Sequence, residues 1–351
     1  MSGTETLDLW IDDLFFSRGS FASLDNEQAL VFGKGGYLSE KKNSSFDTHF
    51  YIKEFYHPKY YYYYPESLLK VDRKEAERSL KKYCNEKLEY VSTGNFDHLF
   101  KEDFNALQEL LQKGLKKAVL VSSEKFETTT ALLVRKKAIA RSILSGIGSP
   151  YGIWDNELAI IGTTPEVLFE RQGESLHTIA LAGTGRAGEE EKLLNSSKDR
   201  FEHDFVIQNI MEELVHFCES LEHEPTHTCS FAKMVHLKTP IKACLKPNVS
   251  NLDIINSLSP TAALGGYPKQ DAKDFLQSTQ YYEKFPHRFF GSVFGINRGE
   301  THRALVMIRN IQLRQDHIII ETGAGIIKES IYENEINEIN LKRTSVKELL
   351  L

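Results

Sequence analysis

The chain has 351 residues, 41% of them hydrophobic, and a formal net charge of −6. That supplies a large core, and charges of both signs are interspersed with no basic stripe to meet a nucleic acid. No apolar run reaches the ~18 residues that a membrane helix needs, and the acidic opening MSGTETLDLWIDDLFF lacks the order of a signal peptide, so a cytoplasmic protein without a membrane partner is expected.

Residues 1–111 read as an N-terminal β-rich region packed on a second part, 112–351. Phe15, Phe16, Phe21, Val31 and Phe32 suggest short strands broken by Gly33, Gly35 and Gly36. The run Tyr60 to Tyr64, closed by Pro65, has high strand propensity. Residues 72–91 are charged and helical in pattern. LKKAVLVSSEKFE reads as a helix end running into a strand from Ala118 to Ser122, and residues 128–146 as a helix ended near Gly146. Two hairpins follow, turning at Asp155-Asn156 and at Gly173-Glu174. Residues 196–221 carry Phe201, Phe205, Ile207, Ile210, Met211, Leu214, Cys218 and Leu221 at helical spacing, with Ser196 or Ser197 as cap. FFGSVFGIN and ALVMIRNIQL read as strands flanking Arg298-Gly299-Glu300, and HIIIETGAGII as a strand before a last helix over 332–350. The class is α+β: large antiparallel sheets forming a core, surrounded by helices.

Cys84, Cys218, Cys229 and Cys244 form no CxxC pair, which fits reduced thiols. His216, Cys218, His223, His227, Cys229 and His236 lie close in sequence without the compact spacings of a zinc site. His216 and Cys218, two apart on an expected helix, would point away from each other.

Polar residues set in apolar surroundings single out other positions. Lys117 stands at the mouth of an apolar strand, and the GTTPE turn drops Glu166 beside Leu168 and Phe169. LAGTGR and GAGII read as small-residue loops after strands, whose backbone N–H groups an anion could approach. Arg309 lies in the apolar segment VMIRNIQL. Its planar fork suits a carboxylate, either a structural partner or a bound acid. Glu202 falls early in its helix, and Glu335, Glu338 and Lys342 share one face of the last. Two glutamates from two helices can hold one Mg²⁺, although an acidic helix face by itself is usually just solvated.

The ordered set GTTPE, LAGTGRAG, SKDRFEH, MVHLKTPI, SPTAALGGYPK, FFGSVFG, MIRNIQL and GAGIIKES…EINEINLK, spread over roughly 112–351, resembles the chorismate-utilising enzymes, the family of the anthranilate, aminodeoxychorismate, isochorismate and salicylate synthases. The resemblance implies that fold and a Mg²⁺ held by Glu202 and Glu338, with Glu335 nearby. It puts the substrate ring beside Gly183 and Thr184. The side-chain carboxylate falls on Arg309 and the stretch Gly323, Ala324 and Gly325, with Lys342 close. Glu166 matches the acid that protonates the leaving C4 hydroxyl, His236 and Phe289 match pocket residues, and Lys117 matches the lysine of branches that add water at C2. Water must lose a proton as it attacks while Glu166 must hold one, which an apolar setting favours. Ala182 stands where the aminodeoxychorismate branch carries a nucleophilic lysine, and Ala263 where salicylate synthases carry threonine. The implied activity is therefore isomerisation of chorismate to isochorismate, for menaquinone or siderophore synthesis, by a monomer or homodimer without a glutaminase partner. Salicylate synthesis, an ammonia-using synthase and a non-catalytic chorismate-binding protein are the alternatives. The sequence departs from the family at Thr164 (serine), Phe289 (tyrosine in several relatives), Ser259 (histidine in many) and Tyr332 (proline).

Overall fold

A computed structural model describes residues 6–24, 28–231 and 234–351. The first five residues of the segment read for a signal peptide lie outside them. Among the described residues, two antiparallel sheets of ten strands each make up the framework. The first runs Gly266–Tyr267, Lys117–Thr128, His317–Ile326, Asn310–Leu313, Ala159–Thr164, Ser149–Trp154, Gly19–Ser23, Ala29–Lys34 and Ser67–Asp72, with Tyr90–Asn95 also paired to Lys117–Thr128. The second runs Cys218–His223, Met234–Leu245, Ser175–Arg186, Val167–Gln172, Thr301–Val306, Val293–Arg298, Thr48–Lys53, Tyr60–Tyr64 and Tyr37–Ser39, with His227–Phe231 also paired to Met234–Leu245. Strands from residues 19–72 are thus hydrogen-bonded into both sheets.

Alternation along the strands sorts side chains into layers. Ala22, Val31, Tyr151, Ile153 and Ile160 of the first sheet meet Phe50, Ile52, Tyr63, Phe294, Ile296 and Leu305 of the second in a core between them. The opposite face of the first sheet buries Phe21, Phe32, Trp154 and Ile161 under helices Ala131–Leu144 and Tyr332–Leu350. The outer face of the second packs Phe169, Leu176 and Ala304 with Val206 and Ile210 of helix Ser197–Leu214. The result is a helix–sheet–sheet–helix sandwich. No helix among the described residues is long and apolar enough to cross a membrane.

Several elements differ from the sequence reading. Phe15 and Phe16 lie in a short helix, Asp13–Ser17, capped by Asp12. Residues 72–91 contain helix Arg73–Leu80 and a 3₁₀ turn, Lys81–Asn85, before strand Tyr90–Asn95 begins. The helix expected over 196–221 is capped by Ser196 as foreseen but stops at Leu214. A 3₁₀ turn, Val215–Phe217, leads into strand Cys218–His223. Apolar residues at 214, 218 and 221 suit a helix stripe, but strand Met234–Leu245 offers a ladder partner and pairing wins. His216 and Cys218 therefore share no helix. The strand expected from Ala118 to Ser122 runs from Lys117 to Thr128.

The segment read as one strand around Arg309 is two. Thr301–Val306 belongs to the second sheet and Asn310–Leu313 to the first, and Arg309, with φ +53°, sits in the crossing between them. The two expected glycine loops are also strand. Gly323 to Gly325 pair with Val121 to Val119, and Gly183 is a bulge in Ser175–Arg186.

Candidate active site

Where strands Lys117–Thr128 and His317–Ile326 face Ser175–Arg186 and Met234–Leu245, a cavity of about 720 Å³ replaces packed core. Its walls come from both sheets, from helices Ser197–Leu214 and Tyr332–Leu350, and from the crossing at Arg309.

Glu166 lies in the short link between Ala159–Thr164 and Val167–Gln172, 4% exposed. Its backbone is held at both ends: its N–H donates to Thr164 Oγ1 at 3.1 Å, and its carbonyl accepts from Val306 N–H at 3.0 Å. The departure from serine to Thr164 thus keeps the hydroxyl in use. Thr261 Oγ1 donates to Glu166 Oε1 at 3.1 Å. Burial raises the carboxyl to about 7, against the opposing influence of Thr261 and the Lys117 charge. A large fraction of Glu166 is therefore protonated near neutrality.

Lys117 enters from the start of its strand in the first sheet, 1% exposed, and its Nζ donates to Glu202 Oε1 at 2.7 Å. The pair rests directly on Gly325. A Cβ there would lie 2.7 Å from Lys117 Cε and 2.8 Å from Glu202 Oε1, so any side chain would displace one of them. The other two candidate metal ligands also face lysines: Lys198 lies 3.6 Å from Glu335, and Lys342 lies 2.6 Å from Glu338. Glu335 is raised by burial and by the fields of Glu338 and Glu202, with Ser330 and Lys198 opposing. Burial pushes Glu338 up, but Lys342 and Lys198 outweigh it and hold the carboxyl below its usual range.

Among the described residues no three His, Cys, Asp or Glu side chains close around a metal-sized point. The chemistry of the three glutamates still fits a hard divalent cation. All donors are carboxylate oxygens, and they repel one another across the end of a cavity. In this arrangement lysine ammonium groups balance that charge.

Arg309 is 6% exposed, and burial pulls it down to about 10 while Glu338 pushes it up. A ligand carboxylate would stabilise that buried charge. His236 is held down to about 4 by burial and by the Arg309 and Lys342 charges, so it is neutral. Its Nδ1 lies 3.2 Å from the Gly183 carbonyl, which can only accept, so Nδ1 carries the proton. Nε2 is then a buried acceptor with no hydrogen-bond partner, on a residue lining the cavity. Gly183 adopts φ +74°, and this bulge angles Thr184 Oγ1 to within 3.2 Å of the same Nδ1.

Lys117, Glu166, Gly183, Thr184, Glu202, His236, Ala263, Arg309, Gly323, Gly325, Glu335, Glu338 and Lys342 all line this one cavity. Two residues named with them do not. Ala324 points to the opposite face of its strand, into a cluster with Phe100, Leu120 and Ile339. Phe289 is in the core between the sheets, and Phe290 takes the place at the cavity wall. Lys198 was missed by the sequence reading. The signal available was its position four residues before Glu202 on the same helix.

A two-sheet sandwich with a buried carboxyl, a buried lysine and a carboxylate cluster around one cavity defines a class of protein that binds a small molecule. Over residues 59–351 the chain matches the chorismate binding enzymes, and it belongs to that family. It is 30% identical over 258 residues to isochorismate synthase MenF of Pasteurella multocida, a match covering 70% of this chain and 59% of that protein. It is 29% identical over 247 residues to isochorismate synthase MenF of Haemophilus influenzae, covering 68% and 56%. The chain thus spans less than two thirds of the length of these relatives. Its fold is similar to that of MenF, the menaquinone-specific isochorismate synthase from Escherichia coli, with a TM-score of 0.82 at 18% identity, covering 99% of this chain and 93% of that one.

Proposed function

We propose that the protein converts chorismate to isochorismate in the cytoplasm, as an isomerase that moves a hydroxyl from C4 to C2. The observation that carries this reading is that Lys117, on a strand of the first sheet, and Glu166, in the link between the two sheets, are both buried and face one cavity. Water attacking C2 gives a proton to Lys117 as the ring double bonds shift; Lys117 takes it as the free amine, after the ammonium that pairs with Glu202 has given up a proton. Glu166 gives its proton to the C4 oxygen, which departs as water. One water enters and one leaves, so the net change is migration of a hydroxyl. Arg309 binds the enolpyruvyl carboxylate, and the neutral His236 accepts from a substrate hydroxyl through Nε2. Glu202 and Glu338, with Glu335, would hold a Mg²⁺, which when bound supplies positive charge to the ring carboxylate.

Ala263 presents no hydroxyl to the cavity, which supports stopping at isochorismate rather than expelling pyruvate. A menaquinone or a siderophore precursor is the proposed use of the product. The reading needs no glutaminase and is compatible with a monomer or a homodimer.

The test is chromatography of products from purified protein with chorismate and Mg²⁺, with and without chelator, alongside Lys117→Ala. Isochorismate without pyruvate, lost with chelator and in the variant, is expected. Salicylate with pyruvate would reassign the product, and binding without turnover would leave a chorismate-binding protein.

A further inference from the structure

The turn Thr261 to Gly266, with Tyr267 after it, touches both halves of the acid–base pair. At one end Thr261 Oγ1 donates to Glu166 Oε1. The Thr261 carbonyl accepts from Leu264 N–H at 3.0 Å and Gly265 N–H at 2.7 Å, which folds the turn tightly. At the other end Gly266 and Tyr267 pair with Ala118 and Lys117 as the edge of the first sheet, and the Gly265 carbonyl accepts from Val119 N–H at 2.8 Å. A Cβ at Gly266 would meet the Lys117 carbonyl at 2.2 Å, so the adjacent glycines allow this seam to close against the strand that carries the lysine.

Resting on the reading of Glu166 as the acid, we infer that Thr261 is a positioning residue. Its hydroxyl fixes which carboxyl oxygen of Glu166 delivers the proton, and the turn it begins sets the acid's place relative to Lys117. Thr261 is 6% exposed, and its donor meets Oε1. In protonated Glu166 the oxygen that accepts is the carbonyl oxygen, so the proton resides on Oε2. Without that donor the carboxyl can rotate, and the proton is delivered from a range of orientations. The geometry makes a second demand. A donor to Oε1 favours the carboxylate, so its loss makes Glu166 a weaker acid. Lys117 is the charged side chain whose field acts on that carboxyl.

The experiment compares Thr261→Val, which keeps the shape and removes the hydroxyl, with Thr261→Ser, which keeps the hydroxyl. Each is measured for kcat, KM for chorismate, the pH profile of kcat/KM and the thermal midpoint, with Glu166→Gln as control. T261V is expected to lose about tenfold or more in kcat, with KM little changed, and to move the alkaline limb of its profile to higher pH. T261S is expected to restore both. A T261V enzyme with wild-type kcat and an unmoved limb overturns the inference. So does a T261S enzyme as impaired as T261V, because the hydroxyl would then be irrelevant. Turnover surviving in E166Q would instead remove Glu166 as the acid, a separate failure that the control identifies.

Discussion

Glu166 and Glu338 face the same cavity in opposite electrostatic settings. Glu166 is almost wholly buried, meets a neutral hydroxyl, and is raised to about 7. Glu338 keeps 33% of its side chain exposed, lies 2.6 Å from the Lys342 ammonium, and is held below its usual range. One side chain type thus becomes a proton store at one place and a fixed anion at another. The difference comes from what stands beside it: burial pushes both carboxyls up, and only Glu338 has an ammonium in contact to outweigh it.

The sharpest way to break this contrast is Glu166→Gln. Turnover should fall by about 10²- to 10⁴-fold, while wild-type kcat/KM should fall as pH rises through about 7, where Glu166 ionises. The same shift has a stability sign. Because the folded value is raised above 4.5, the contribution is fully present below 4.5 and is lost as pH climbs through about 7. Relative to the wild type, E166Q should therefore be more stable at pH 8, by roughly 3 kcal/mol, and the gap should close below 4.5. Thermal melts at both pH values decide it, and an equal gap at both would end the view of Glu166 as a stored proton.

Gly325→Ala tests the paired end, since the added Cβ must push Lys117 or Glu202 aside. A loss of about tenfold or more in kcat is expected, with about 1–3 kcal/mol of destabilisation from overpacking. Unchanged kinetics would mean that the pair's seat is unimportant.

The smallest effects separate two neighbouring rings. Phe290→Ala should raise KM for chorismate by roughly tenfold, because Phe290 forms cavity wall. Phe289→Leu should leave KM alone and cost under about 1.5 kcal/mol in a denaturant melt, because Phe289 packs between the sheets.

Most of the cavity's lining was legible because ionisable residues in apolar stretches of sequence stand out from their neighbours, as Lys117, Glu166 and Arg309 do. Alternation was the weak point. Ala324 was named with its glycine neighbours although strand pleating sends it to the far face, and Phe289 was named one position short of the ring that lines the wall. The hairpins at 155 and 173 carried clear turn residues and were found in place. The crossing at Arg309 carried none: MIRN continues an apolar run, and only long-range pairing with two different sheets breaks it. For the same reason the helix from 197 could not be ended at Leu214 without knowing which strand its successor would join.

The pairing of Lys117–Thr128 with His317–Ile326 also bears on how the molecule assembles. These strands meet across about two hundred intervening residues, a separation that favours slow formation. A nascent chain would carry the apolar Ala118 to Val121 stretch for most of its synthesis before the proper neighbour emerges. Strand edges left open in that interval invite foreign partners, so the yield of active protein in a cell should depend on chaperone supply and translation speed as well as on the finished fold's stability.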